Sequence, residues 1–291
     1  MADGGFAPPA KDLVQSSELW NPITTPQPSS RQGLSLDDRG EIPNNAFPYV
    51  EPINLGDRFS PGLTQWYAYT EMIGVSAATQ GDFFAWDNAG AGAGSAAATP
   101  ETGHPGCIQT NTGTTTTGRA GYRLQIPSNF FFGNGSVTIS YIIKTGTLSD
   151  GTNTYRIGCG FCNDVDQIGN NTAVASKYGV LFQYGSAISD GLANGNWRCT
   201  TFDGSSIDIQ PTGVAVAAST WYLLTIEVND VGNTVVYSIN NNKVASTTTA
   251  IPTSSNGISA MGGIIKTAGT TSRAMLFDTI YLRGNITASR Y

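Results

Sequence analysis

Charge is scarce in this chain. Only 12% of its 291 residues are Asp, Glu, Lys or Arg, about half the share of an ordinary soluble protein, which excludes a polyelectrolyte tail, a coiled coil or an acidic disordered segment. Positive charge is scarcer still. With 15 Lys and Arg against 21 Asp and Glu, the net charge is −6, so the long-range field repels phosphate backbones and anionic membranes, and no nucleic-acid partner is expected. Long apolar runs are missing as well. None approaches the roughly 20 residues that span a bilayer, so no membrane insertion is expected. The opening MADGGFAPP has neither a basic nor an apolar leader region, and no secretory signal is expected from it.

Residues that carry chemistry are few. Cysteine occurs four times at irregular spacing, and without export these read as reduced, partly buried thiols rather than a disulfide framework. Cys159 and Cys162 have the spacing of a redox or zinc pair, but they lie in a strand-like run where residues three apart point to opposite faces, which spoils a chelate with Cys199 and Cys107. His104 is the single histidine; in a Gly-flanked turn before Pro105, with no partner suggested by spacing, it reads as structural rather than as a general base. Glutamate is limited to Glu18, Glu41, Glu51, Glu71, Glu101 and Glu227. No Glu-x-Asp-x-x-Glu is present, and the nearest approach, Glu227 to Asp230, runs into a turn, so the paired carboxylates of a glycosidase are not found and the chain reads as no enzyme. The oxygen-rich stretch Asn163–Thr172, with Asp164, Asp166, Asn170 and Asn171, matches no defined Ca²⁺ loop and reads as a polar turn. No cofactor is expected. Trp86, Tyr178, Tyr184 and Trp197 are candidates for stacking on sugar rings, although aromatic residues in strands more often belong to the core.

What the chain does have is glycine, 35 residues of it, with abundant threonine and 40% apolar positions. Nine of its 14 prolines fall within the first 61 residues, so residues 1–57 read as an extended arm that cannot join a sheet. A short helix around Asp12–Leu19 is the one exception expected there. Leu19, Trp20, Ile23, Phe47, Tyr49 and Val50 space apolar anchors along the arm, a pattern suited to docking on a partner rather than to a solvated linker.

Residues 58–291 change to short strands separated by Gly, Asn, Asp and Ser. In Ser136–Lys144, Val137, Ile139, Tyr141 and Ile143 share one face, and in Trp221–Asn229 the residues Tyr222, Leu224, Ile226 and Val228 do the same; both show the period of two of a half-buried strand. Thr234–Asn240 and Lys243–Thr249 flank Asn241 and Asn242 in a predicted hairpin. Further strands are expected at Gln65–Ile73, Asp82–Trp86, Gly121–Ile126, Thr154–Cys162, Tyr178–Tyr184, Asn196–Phe202, Ser206–Gln210, Ile258–Lys266 and Ala274–Arg283. Ala89–Ala98 (AGAGAGSAAA) reads as a mobile loop or a close-packed extended segment. About a dozen antiparallel strands with no interleaved amphipathic helix predict an all-β sandwich.

The Ser219–Asn240 segment, with Asn241-Asn242-Lys243-Val244-Ala245 and Ile251-Pro252 after it, resembles the late strands of the concanavalin A-like lectin/glucanase (LamG-like) jelly roll. Gly103-His104-Pro105-Gly106 followed by Thr112–Ala120 is similar to a segment of tailed-bacteriophage structural proteins, and Gly179–Tyr184, Asn196–Cys199 and Ile264–Thr271 extend the likeness. These resemblances imply a virion structural protein, assembled in the host cytoplasm. Its expected role is capsid decoration or cementing, docked through the arm onto the major capsid protein or another virion protein, as a dimer or trimer. The alternative they leave open is a tail-fibre or head-fibre adhesin that binds host-surface glycans.

Overall fold

Strands form in this chain wherever alternate side chains can be buried together. The computed structural model describes residues 65–72, 79–80, 83–124, 130–165, 168, 175–185 and 195–285; the expected arm, the helix expected around Asp12–Leu19 and the anchors Leu19, Trp20, Ile23, Phe47, Tyr49 and Val50 lie outside the described residues. In chain order the first eight strands are β1 (Gln65–Glu71), β2 (Thr79–Gln80), β3 (Phe83–Ala89), β4 (Ala93–Ala98), β5 (Cys107–Thr112), β6 (Arg119–Leu124), β7 (Val137–Thr145) and β8 (Thr154–Cys162). The remaining eight are β9 (Tyr178–Gly185), β10 (Asn196–Asp203), β11 (Ile207–Ala215), β12 (Trp221–Val228), β13 (Val235–Ile239), β14 (Asn242–Thr247), β15 (Ser259–Ala268) and β16 (Ala274–Asn285).

Two antiparallel sheets result. The first runs β14-β13-β12-β7-β16-β5-β4 with β1 also paired to β16, and the second runs β11-β10-β9-β8-β15-β6-β3-β2. The all-β sandwich predicted from the sequence is therefore the architecture observed. Inward residues of the first sheet, among them Ile139, Tyr141, Leu224, Ile226, Phe277 and Ile280, meet Tyr155, Ile157, Phe161, Phe182, Trp197 and Ile264 of the second, and all of these are fully buried. At about 25 cal/mol per Å² of apolar area removed from water, this shared core is the main stabilising term. Hydroxyls pin the layers together: Tyr141 Oη lies 3.0 Å from the Gly160 carbonyl and 2.8 Å from that of Met261, and Tyr237 Oη donates to the Thr200 carbonyl at 3.2 Å.

Three strands escaped the sequence reading: the two-residue β2, the edge strand β4 and its neighbour β5. Ala93–Ala98 is the edge strand β4, paired along its length with β5, so the alanine-rich stretch is extended, as in the second alternative, but lies at an open edge rather than close-packed. The predicted asparagine hairpin forms one residue earlier than expected, with the positive φ values at Asn240 and Asn241.

Candidate functional site

The outward face of the first sheet holds two groupings of polar residues, one at each end of β12. Their positions follow from register. Trp221 stands opposite Lys144, and Lys144 opposite Leu276, whereas at the other end Glu227 stands opposite Thr138, and Thr138 opposite Arg283. Six residues along a strand separate the two ends by about 20 Å.

At the Trp221 end, a four-residue hairpin lies over the sheet. Glu101 and His104 exchange backbone hydrogen bonds of 3.0 and 2.9 Å around Gly103, whose φ of 82° closes the turn. Both side chains converge on Trp221: the His104 ring stacks on it with centroids 3.6 Å apart, and Trp221 Nε1 donates to Glu101 Oε2 at 3.1 Å. Lys144 Nζ donates to both Glu101 oxygens at 2.6 and 2.8 Å. This bond, then the one from Trp221, holds the Glu101 carboxyl below the usual carboxylate range. Asp278 Oδ2 lies 2.7 Å from His104 Nδ1. It reaches there because the ladder to β7 slips one residue between Phe277 and Thr279, a bulge that re-aims the extra side chain.

An Asp-His pair invites the question of a nucleophile. Cys107, whose Sγ approaches the His104 carbonyl at 3.7 Å, is the nearest thiol of this grouping, but burial, then the charges of Asp278 and Glu101, push it up to about 11. A thiol held that high stays protonated near neutral pH and does not attack. With its ring against Trp221 and Nδ1 on Asp278, His104 acts as a brace for the hairpin, in line with the structural reading of its turn.

At the other end of the face opens a cleft of about 340 Å³, lined by Ser136, Thr138, Glu227, Asn229, Arg283 and Asn285 together with parts of β13 and the ends of neighbouring strands. Some of its polar groups are committed to the frame. Asn229 Oδ1 accepts from the Asn233 and Thr234 amides at 2.9 and 3.0 Å, and Asn285 Nδ2 donates to Ser136 Oγ at 3.1 Å. The side chains of Arg283, Thr138 and Glu227 make no hydrogen bond among the described residues. They sit in one cross-strand row, which spaces the guanidinium and the carboxylate two strands apart, about 9–10 Å at the backbone, with the threonine hydroxyl between them.

The other sequence candidates fall elsewhere. Cys159 lies in the main core and Cys162 in a smaller apolar cluster with Ile168, Leu181, Phe202 and Met261 on the opposite side of its sheet, the geometry that the strand spacing predicts. All four cysteines are free and buried; burial raises Cys162 to about 12 and Cys159 and Cys199 well above their ordinary value. Asp164 pairs with Lys177, and Asn163 Oδ1 accepts from the Tyr178 amide at 2.9 Å, so these oxygens serve a turn. Among the described residues no three His, Cys, Asp or Glu side chains gather as a metal site. Tyr184 and Trp197 are buried in the core, and Tyr178 is half-buried against it; the side chain of Trp86 lies outside what is described.

The segment Thr112–Ala120 is a packed corner. Lys266 Nζ, 2% exposed as a residue, donates to the Gly113 carbonyl at 2.5 Å, and its amide donates to Gly118 O at 2.8 Å. These residues belong to the framework rather than to the cleft.

Sequence reasoning named Glu227 and His104 but missed Thr138, Arg283, Lys144 and Asp278 as members of these groupings. For Thr138, Lys144 and Arg283 an outward position in an alternating strand was the available signal, and Asp278, at the bulge in β16, offered none.

Comparison with known proteins places this architecture. No curated protein matches the chain by sequence. The protein SO2946 from Shewanella oneidensis MR-1, a protein of unknown function, superposes with a TM-score of 0.54 at 13% identity, covering 100% of this chain and 99% of that one. The Emp47p carbohydrate recognition domain gives a TM-score of 0.50 at 13% identity over 76% of this chain and 96% of its own. An endo-1,3-β-glucanase from Streptomyces sioyaensis gives 0.50 at 11% identity over 78% and 99%. At such identities the likeness is one of fold, and that fold is the concanavalin A-like jelly roll. Residues 103–278 match the family described as SO2946-like, C-terminal domain, a span of more than half the sequence, and the chain belongs to this family.

Proposed function

We propose that this chain is a non-catalytic recognition module that holds a carbohydrate in the Glu227–Arg283 cleft. The row Arg283–Thr138–Glu227 carries the reading. It offers a donor, a hydroxyl and an acceptor that no side chain among the described residues uses, over a floor made rigid by three paired strands. Sugar hydroxyls both donate and accept, so a ring lying across Thr138 satisfies both charged walls, whereas a ligand of one charge would leave one wall opposed. The volume is at the lower end of the range for small-ligand sites, suited to one ring at a time. Hydrolysis would require a second carboxylate about 5–10 Å from the first, and the cleft lining contributes Glu227 alone. A carbohydrate recognition domain built on the same fold is in keeping with this use.

The setting we propose is the bacteriophage virion, where such a sandwich decorates the particle as a homo-oligomer and is held by its Pro-rich arm. That part rests on the sequence likeness of Gly103–Gly106 and Thr112–Ala120 and on the anchors spaced along the arm. Its physical logic is that an arm crossing a subunit boundary buries area on two partners at once.

The test is a glycan array probed with the full chain and with Glu227→Gln and Arg283→Ala. We expect a restricted set of saccharides to be retained by the parent and released at least tenfold more readily by each variant. Binding unchanged in both variants would remove the cleft from consideration, and an array without retained saccharides would remove carbohydrate altogether.

A further inference from the structure

Two large apolar side chains stand exposed among the described residues, Phe131 at 38% and Val231 at 65%. Isolated exposed apolar residues are ordinary. These two, however, occupy adjoining turns at the end of the sandwich where the cleft opens, since Ser136 and Asn229, which line the cleft, belong to the same two segments.

Both turns are rigid for reasons visible in the sequence. Phe130, Phe131 and Phe132 are consecutive, and the outer two are drawn inward: Phe130 stacks on Phe161 at 5.5 Å, and Phe132 meets Phe161 edge-on at 5.3 Å. The backbone of Phe130 is fixed to Ile258 by a pair of hydrogen bonds, 3.1 and 2.9 Å. With both neighbours anchored, the middle ring faces solvent. In the other turn, Asn229 binds the amides of Asn233 and Thr234, its carbonyl accepts from Gly232 at 2.9 Å, and Gly232 has a φ of 70°. The turns interlock through the Gly135 amide, which donates to Asp230 O at 3.1 Å, and a side chain at Gly232 would lie 2.6 Å from the Gly133 nitrogen. Phe131 and Val231 are therefore displayed on a stiff ledge.

We infer that this ledge is a second subsite for the ligand of the neighbouring cleft, stacking the apolar face of a further sugar ring, so that the physiological ligand is an oligosaccharide of at least two units rather than a monosaccharide. The inference rests on the carbohydrate reading of the cleft. A pyranose presents hydroxyls at its rim and C–H bonds on its faces. A polar cleft and an apolar ledge carried by the same two segments thus fit two successive rings bound in two ways. Because the backbone on either side of Phe131 is fixed by its anchored neighbours, little main-chain freedom is lost on stacking.

The experiment uses an array carrying length series from one to six sugar units, with affinities then measured in solution for the saccharides retained. The full chain, Phe131→Ala, Phe131→Tyr and Glu227→Gln are compared, with thermal unfolding as the check on folding. We expect the parent to gain affinity from one to two or more units. Phe131→Ala should lose about three- to tenfold, the worth of an aromatic contact, on the longer ligands while matching the parent on single sugars; Phe131→Tyr should retain the gain. Equal length dependence in Phe131→Ala and the parent overturns the ledge while leaving the cleft standing. Failure of the parent to retain any saccharide overturns both.

Discussion

His104 and Asp278 are separated by 174 positions in the chain, and their side chains meet at 2.7 Å. The contact ties the hairpin before β5 to the bulge in β16, and Trp221, stacked on the same imidazole, ties it to β12. Three remote segments thereby share one small cluster on the outer face of a sheet.

Trp221 is the common element of that cluster, since it supplies the ring face for His104 and the N–H for Glu101. Trp221→Ala is expected to destabilise the chain by about 1–3 kcal/mol, below the cost of a fully buried tryptophan because the residue keeps part of its surface exposed. Trp221→Phe keeps the stack and loses the hydrogen bond, so it should fall between the parent and alanine. Urea unfolding of the three proteins measures this order. Equal midpoints would show that the hairpin is not held through Trp221.

Acid should loosen the fold through specific carboxylates. Asp150 accepts the Asn153 and Thr152 amides at 2.6 and 2.8 Å and pairs with Arg273, and these contacts, led by the amides, lower it from 3.8 to about 2. Glu101 and Asp203 are lowered as well, Glu101 chiefly by Lys144 and Asp203 by the Ser205 and Ser206 amides against an opposing effect of burial. For a lowered carboxyl the unfolded chain binds the proton more readily. The stabilisation is therefore present above the ordinary carboxylate range and is lost as the pH falls through it towards 2. Urea midpoints measured from pH 6 to pH 2.5 should fall, and Asp150→Asn should flatten the lower part of that fall. A midpoint independent of pH in this range contradicts the assignment.

The thiols offer a test of the strand geometry. All four cysteines are free and buried, and burial keeps each in its protonated form, so a thiol reagent at pH 7.5 should label almost none in the folded chain and all four in denaturant. Rapid labelling of one thiol in native buffer would locate an opening of the sandwich, and mass mapping would identify it.

Much of this fold was legible because burial writes itself into alternation. Val137, Ile139, Tyr141 and Ile143 could be assigned to one face before any coordinate was known, and the opposite orientations of Cys159 and Cys162 followed from spacing alone. Ala93–Ala98 was not legible as a strand, since side chains of Ala, Gly and Ser carry no contrast between faces. The cleft was less legible again. Thr138, Glu227 and Arg283 lie on β7, β12 and β16, and only the order in which strands pair brings them into one row. Asp278 was hidden for a further reason, because the bulge that turns it towards His104 breaks the alternation from which its orientation would have been read.

Glycine positions discriminate between a packed corner and an open strand, and the two can be compared in one protein. A Cβ placed on Gly118 would lie 1.6 Å from the carbonyl oxygen of Thr112, and one on Gly113 would lie 2.2 Å from that of Ala91, where Gly113 also has a φ of 61°. Both clashes are with backbone, which cannot swing aside. A Cβ on Gly94 in β4 meets nothing within 4 Å. Gly118→Ala and Gly113→Ala should each cost at least about 2 kcal/mol, combining overpacking with disruption of the loop that receives Lys266. Gly94→Ala should be neutral or slightly stabilising, because alanine restricts the unfolded chain without disturbing the strand. Denaturant unfolding of the three variants decides the matter. If Gly118→Ala proved as stable as the parent, the corner formed by residues 112–119 would have to be looser than the Lys266 contacts require, and the segment could no longer be regarded as framework.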